Sequence, residues 1–193
     1  MTSPALTTAA QRAVQIARQM IVKKPLYLDT ETTGLSQTDE IVEISVIDDN
    51  GDTVFESLVR PSQPIPPEAS RIHGITDEMV RTARPWPILW PQLKPLLAGR
   101  VLGIYNSEFD KRMMKQSMER YRLPWNETFQ DVDILRLFAD YRSEWDSRKG
   151  GYRFFKLEDA GRFFNISLPN AHRATADTLL TRAVLHCIAG LPY

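Results

Sequence analysis

The sequence predicts an α/β fold, with one mixed sheet flanked by helices, on three observations. Short apolar runs and amphipathic stretches follow one another in the order βββαβαβαα after a leading helix. An Asn50-Gly51 pair between two strand-like runs marks a tight hairpin, so the sheet begins antiparallel. The 193 residues are 42% hydrophobic, enough for one sizeable core.

Taken in order, Ala10, Ala13, Val14, Ala17 and Met20 or Ile21 recur at helical spacing over 7–22, and this helix ends before Pro25. Leu26-Tyr27-Leu28 suits a buried strand. Residues 41–48 (IVEISVID) and 53–60 (TVFESLVR) read as the hairpin strands. Residues 61–67 (PSQPIPP) hold four prolines, which remove donors and fix φ, and read as a surface loop that cannot be helix. Thr76-Asp77-Glu78 is a helix start. Pro85, Pro87, Pro91 and Pro95 break the next segment, leaving a short helix at Leu89, Leu93 and Leu96. Val101–Ile104 reads as a strand, 108–120 as a charged helix and Phe129–Val132 as a fifth strand. Helices follow at 133–143 and 156–164, and the last runs from about Arg173 to Ala189 with Ala176, Leu180, Val184 and Cys187 on one face. No repeat or linker divides the chain. The expectation is a single domain over 1–193, in which residues 1–24 are an N-terminal helix appended to a core at 25–190.

Composition excludes some functions. Twenty-four basic and 24 acidic residues leave a formal charge of zero, which argues against coating nucleic acid by bulk electrostatics. It leaves room for an enzyme that grips a few phosphates. No apolar run reaches the ~20 residues of a membrane span. Gln11, Arg12, Gln15, Arg18 and Gln19 interrupt any secretory core at the N-terminus, so a cytoplasmic location is expected. Cys187 is alone and in an apolar stretch, which makes it a core residue rather than a nucleophile.

The chemistry concentrates in three segments. In Leu28-Asp29-Thr30-Glu31-Thr32-Thr33-Gly34-Leu35 an apolar strand ends on two acids at i and i+2, which point to one face. Two anions that close repel unless a cation lies between them, and oxygen ligands suit Mg²⁺ or Mn²⁺. In Val101 to Asp110 (VLGIYNSEFD) another acid follows another apolar strand, in the first turn of a helix, where dipole effects alone favour acids. In His172-Arg173-Ala174-Thr175-Ala176-Asp177, Pro169-Asn170 upstream keeps His172 at the helix start or in a loop, from which it can swing over a site lined by Asp177. Singly, each is more often a solvated turn, a capping acid or an inert histidine.

Together, LDTETTGL, IHGITDEM, YNSEFD and HRATAD resemble, in order and spacing, the DEDDh 3′-to-5′ exonucleases. That family includes the proofreading subunit of bacterial replicative polymerase, ribonuclease T and oligoribonuclease. The resemblance covers about 26–189 and implies a ribonuclease H-like fold with a five-stranded mixed sheet, three antiparallel strands then two parallel. It further implies that Asp29, Glu31, Asp110 and Asp177 ligate two divalent cations, Mg²⁺ or Mn²⁺, and that His172 is the general base. By the same match, Thr32, Gly34 and Leu35 approach the terminal nucleotide, Asn106 and Phe109 position the strand, and His73 lies near the terminal bases. Tyr105, where the family commonly has histidine, and Thr178, where alanine usually follows the last acid, depart from the pattern.

The implied reaction is two-metal hydrolysis of single-stranded 3′ ends to nucleoside 5′-monophosphates, DNA favoured over RNA. An imidazole can take the water's proton near neutral pH. Residues 148–156 (RKGGYRFFK) mix basic and aromatic side chains as a strand-binding surface would, although Phe154 and Phe155 could equally pack in the core. The alternatives are an RNA exonuclease of the ribonuclease T or oligoribonuclease type, a polymerase proofreading subunit and a non-catalytic binding module. The intact acid set opposes the last. Family proofreaders carry a polymerase-binding tail after the domain, and only four residues follow Ala189, so a standalone exonuclease is expected, with any polymerase or DNA-repair partner left open.

Overall fold

The computed structural model describes residues 7–126, 129–167 and 172–193. β1 (Leu26–Thr32), β2 (Ile41–Ile47) and β3 (Thr53–Leu58) form the antiparallel meander, and Gly51, at φ 91°, turns its hairpin. β4 (Val101–Ile104) and β5 (Gln130–Asp133) add in parallel on the other side of β1, giving the order β3-β2-β1-β4-β5. This is the five-stranded mixed sheet expected. The pairing sets Asp29 opposite Ser45 and Glu31 opposite Glu43.

Strand alternation sorts the two faces. Leu26 and Leu28 pack with Trp86, Leu93 and Met113, from α4 (Trp86–Leu97) and α5 (Ser107–Arg120). Tyr27 packs with Ala17, Phe138 and Val184, from α1 (Thr8–Val22), α6 (Ile134–Arg142) and α8 (Ala174–Ala189). The same alternation turns Asp29 and Glu31 toward α8. The leading helix α1 starts at a Thr7 cap and buries Ala10, Ala13, Ala17 and Met20, packing on α6 and α8. Residues 1–6 of that segment lie outside the described residues. A third cluster joins Val42 and Ile65 to Ala69, Ile75 and Val80, from α2 (Pro67–His73) and α3 (Asp77–Val80). No described helix is long and apolar enough to cross a membrane.

Four expectations need correction. Pro67 is not loop: it occupies the first turn of α2, where a missing N–H costs nothing, and Gly74 closes that helix at φ 72°. The prolines after Arg84 do not confine helix to a short piece. α4 runs twelve residues through Pro91 and Pro95, because Trp86, Leu89, Trp90, Leu93 and Leu97 share one buried face and Trp86 stacks on Trp90 at 5.7 Å. Packing thus outweighs two missing backbone bonds. Cys187 is half-buried rather than core. Finally, β6 (Trp145–Asp146) and β7 (Gly151–Tyr152) make a small hairpin that the sequence reading did not foresee, ahead of α7 (Leu157–Phe163).

Candidate active site

Asp29 and Glu31 leave β1 on the same face, and Asp177 enters from the first turn of α8. Carboxylate oxygens of these three lie within 4.8 Å of one another, the one such group of potential metal ligands among the described residues. Asp110, in the first turn of α5, stands outside that triple but is the strongest like-charge neighbour of Asp29. It is 2% exposed and accepts a hydrogen bond from the Thr30 hydroxyl at 2.7 Å.

Burial raises all four carboxyls, and repulsion from the others adds to it at Asp29 and Glu31. Asp29 lies well above the carboxylate range, through desolvation and then Asp110, Asp177 and Glu31. Desolvation followed by Asp177 and Glu43 pushes Glu31 up to about 8. Asp110 rises to about 7 by burial, against the lowering bond from Thr30, and Asp177 to about 6, again mainly by burial. Four carboxyls raised this far above their usual range describe a site short of positive charge.

Two residues outside the sequence-derived set hold the α8 end of the site. Glu43, buried in β2, accepts from the Ala174 N–H at 2.9 Å and so caps α8. It also takes a bidentate guanidinium from Arg173, at 2.5 and 3.1 Å. An acid within a mostly apolar strand, all seven positions buried, was the available signal. Thr175 adds a hydroxyl bond to Glu56 of β3. His172 lies just before α8 in the left-handed region, φ 68°, and donates its N–H to Asp177 Oδ2 at 3.3 Å. Its Nε2 is 3.6 Å from Glu158 Oε1 of α7. Pro169 and Asn170, placed upstream of it by the sequence, lie outside the described residues.

Two clefts meet at Leu35 and Phe109. One, of about 470 Å³, is lined by Asp29, Tyr105, Asn106, Glu158, His172 and Asp177. The other, of about 380 Å³, is lined by Thr30 to Leu35 with Ala69, Ile72 and His73. Leu35 is 77% exposed at their shared mouth. His73 is buried at the end of α2, its Nδ1 accepting from the Ile75 N–H at 3.0 Å. Burial lowers its pKa. Thr32 turns its hydroxyl to the Gly34 carbonyl. A Cβ on Gly34 would come within 2.7 Å of the Asp39 carboxylate, so any side chain there would have to displace the bonds that carboxylate makes to Thr33 and Ser36. Asn106, at φ 67°, donates its N–H to Asp133 at 3.0 Å. All eleven residues singled out from the sequence thus line or adjoin one region. Of the two departures, Tyr105 donates its hydroxyl to the Phe155 carbonyl at 2.8 Å, and Thr178 is buried, bonded to the Ala174 carbonyl.

A family model described as exonuclease matches residues 26–185. An uncharacterized exonuclease of Escherichia phage 186 is 37% identical over 182 residues, 91% of this chain and 93% of that protein. The PolC-type DNA polymerase III of Thermotoga maritima is 32% identical over 162 residues, 81% of this chain but only 11% of that protein. Among solved structures, exonuclease X in complex with 5′-overhanging duplex DNA aligns with a TM-score of 0.62 at 28% identity, over 86% of this chain and 90% of that one. Escherichia coli exonuclease I with a dA16 oligonucleotide aligns with a TM-score of 0.66 at 22% identity, over 83% and 40%, a likeness of fold.

Proposed function

Since the chain belongs to the exonuclease family, we propose that it removes nucleotides stepwise from the 3′ end of single-stranded DNA as nucleoside 5′-monophosphates, using two divalent cations, Mg²⁺ or Mn²⁺. The observation that carries this reading is the convergence of Asp29, Glu31 and Asp177 within 4.8 Å, with Asp110 adjoining. The donor set fits hard divalent ions: every ligand is a carboxylate oxygen, with no thiolate or imidazole in the group. Asp29, Glu31, Asp110 and Asp177 would hold them. When bound, such ions supply the charge that a phosphodiester and an attacking hydroxide require, and stabilise the leaving oxygen.

The chain's own side chains do the rest. His172 is the proton acceptor, a half-exposed ring on the lip of the acidic cleft, oriented by Glu158 and free to turn toward a water there. Leu35, Ile72 and the buried face of His73 make an apolar slot that takes a terminal base without reading it. Thr32 and Gly34 shape the backbone along that slot, while Asn106 and Phe109 border the strand's path. The likeness to exonuclease X, whose structure holds DNA, supports DNA over RNA.

The test is a 5′-labelled strand incubated with Mg²⁺ or Mn²⁺, as DNA and as RNA, single and double. A descending ladder on single-stranded DNA, stopped by chelation, is the expected result. Rapid cutting within a circular single strand, or an RNA-only ladder, would overturn the assignment.

A further inference from the structure

The hairpin β6–β7 has no part in the chemistry above, yet it and the residues after it expose large aromatic rings. Trp145 is 64% exposed and Phe154 50%. Trp145 meets the edge of the Tyr152 ring at 5.7 Å, and Phe154 carries the Arg136 guanidinium over one face at 6.0 Å. Phe155, the neighbour of Phe154, turns inward onto Phe138 instead, at 5.6 Å. Alternation along this segment thus sends one ring to the core and leaves the other for solvent. The hairpin's own acids are engaged, Glu144 with Arg142 and Asp146 with Arg148, while Asp140 of α6 lines the groove beside Lys149 and Phe154. Lys149 and Arg153 have no ion-pair partner among the described residues, and the Arg153 guanidinium lies over the Phe155 ring at 5.1 Å. Exposed rings beside cations without an acidic partner are what a single strand needs, with stacking for bases and charge for phosphates.

The hairpin is also fixed to the site. Asp146 accepts the Arg148 N–H, Gly150 turns at φ 65°, and the Arg153 N–H bonds the Glu144 carbonyl at 2.8 Å. The Tyr105 hydroxyl then ties Phe155 to the strand end that leads into Asn106 and Asp110. Phe155 and Lys156 line the acidic cleft, while Phe154, next along the chain, lines two further grooves together with Lys149. The departure at Tyr105 therefore anchors this segment.

We propose that the β6–β7 hairpin is a second contact for single-stranded DNA, gripping the strand upstream of the nucleotide being removed. Trp145 and Phe154 stack bases, and Lys149 and Arg153 meet phosphates. The inference rests on the exonuclease reading for its occupant. Anisotropy of 5′-labelled oligodeoxythymidylates, from two to about sixteen nucleotides, measures it in chelator so that nothing is cut. Affinity is expected to climb with length. In Trp145→Ala/Phe154→Ala the longest strands should bind about 10- to 100-fold more weakly, erasing most of that climb. In Lys149→Ala/Arg153→Ala the slope of log affinity against log salt should fall by about 1.4, two phosphate contacts' worth. Circular dichroism and melting confirm that both variants fold, and turnover of the same strands by wild type reads the exonuclease assignment separately. Wild type that binds with the length effect but cuts nothing removes the exonuclease reading and leaves the surface standing. Length and salt dependence equal to wild type in both variants would overturn the inference. So would a wild-type protein that gains no affinity with length, which would leave the exposed rings to a protein partner.

Discussion

The two ends of α8 each meet the sheet through a buried polar cluster, and the clusters are built on opposite principles. At the far end, the Tyr27 hydroxyl donates to Asp49 Oδ1 at 2.8 Å, and His186 Nε2 lies 3.0 Å from that oxygen. His186 Nδ1 faces the Pro192 carbonyl at 2.7 Å, and Arg182 donates to the Asp49 carbonyl. Each side chain there has a partner of the complementary kind. At the near end, the neighbours of Asp29 are other acids. Burial is similar at both ends, so burial does not separate them. What does is whether the charge is answered within the chain. A satisfied cluster holds the fold together, and an unanswered one is strain that bound protons or an added cation relieve.

The comparison can be broken by substitution. The largest effect should come from the near cluster. Changing Asp29, Glu31, Asp110 or Asp177 singly to Ala should lower turnover by about 10³-fold or more, the rate equivalent of several kcal/mol. Thermal stability without metal should hold or rise, because repulsion is removed. Near-normal turnover at saturating Mg²⁺ in any of the four would sink the assignment. Next, His172→Ala should lower kcat by about 10²–10⁴-fold while metal affinity, followed by titration, hardly changes. Rescue of the whole defect by added Mg²⁺ would make His172 a ligand instead. The far cluster should invert this pattern. Asp49→Ala strands the Tyr27 hydroxyl and His186 Nε2, so denaturant melts should show a loss of about 3 kcal/mol. Turnover should stay within about twofold of wild type. A large kcat defect in a well-folded Asp49→Ala protein would show that the two ends communicate.

How much of this was legible depended on the range of the physics involved. Asp29 and Glu31 declared a shared face because period two is a property of any strand. Asn50-Gly51 declared its turn because the conformation is chemically local. Glu43 and Arg173 were not readable as partners, since they lie 130 positions apart and only the folded sheet brings them together. α4 was misread because proline's local cost is visible in sequence, whereas the tryptophan packing that outweighs it is tertiary. The β6–β7 strands, two residues each, are too short to show any period. Segment 148–156 was readable as basic and aromatic, but which phenylalanine turned inward was decided by Phe138.

The smallest expected effect, and the sharpest discriminator between the ends, is the pH dependence of stability without metal. A carboxyl in the unfolded chain titrates near 4. In the fold, Asp177 titrates at about 6, Asp110 at about 7 and Glu31 at about 8, and Asp29 is raised as well. Below pH 4 both states hold these protons and the cluster costs nothing. Between about 4 and 8 the folded state keeps protons that the unfolded state has shed, so stability falls as pH rises, and it levels off once the folded groups have ionised. In chelator, the melting temperature should therefore decline from about pH 5 to pH 8. Added Mg²⁺ should restore it, and more strongly at pH 8 than at pH 6, because there the ion competes with fewer protons. Other groups titrate in this window, so the informative quantity is the difference between variants. Asp29→Asn, which removes one acid and relieves its neighbours, should flatten the decline. Asp49→Asn, in the satisfied cluster, should lower the whole curve and leave its slope unchanged. Equal slopes in wild type and Asp29→Asn would mean that the near cluster's repulsion is already answered, and the contrast between the two ends would fall with it.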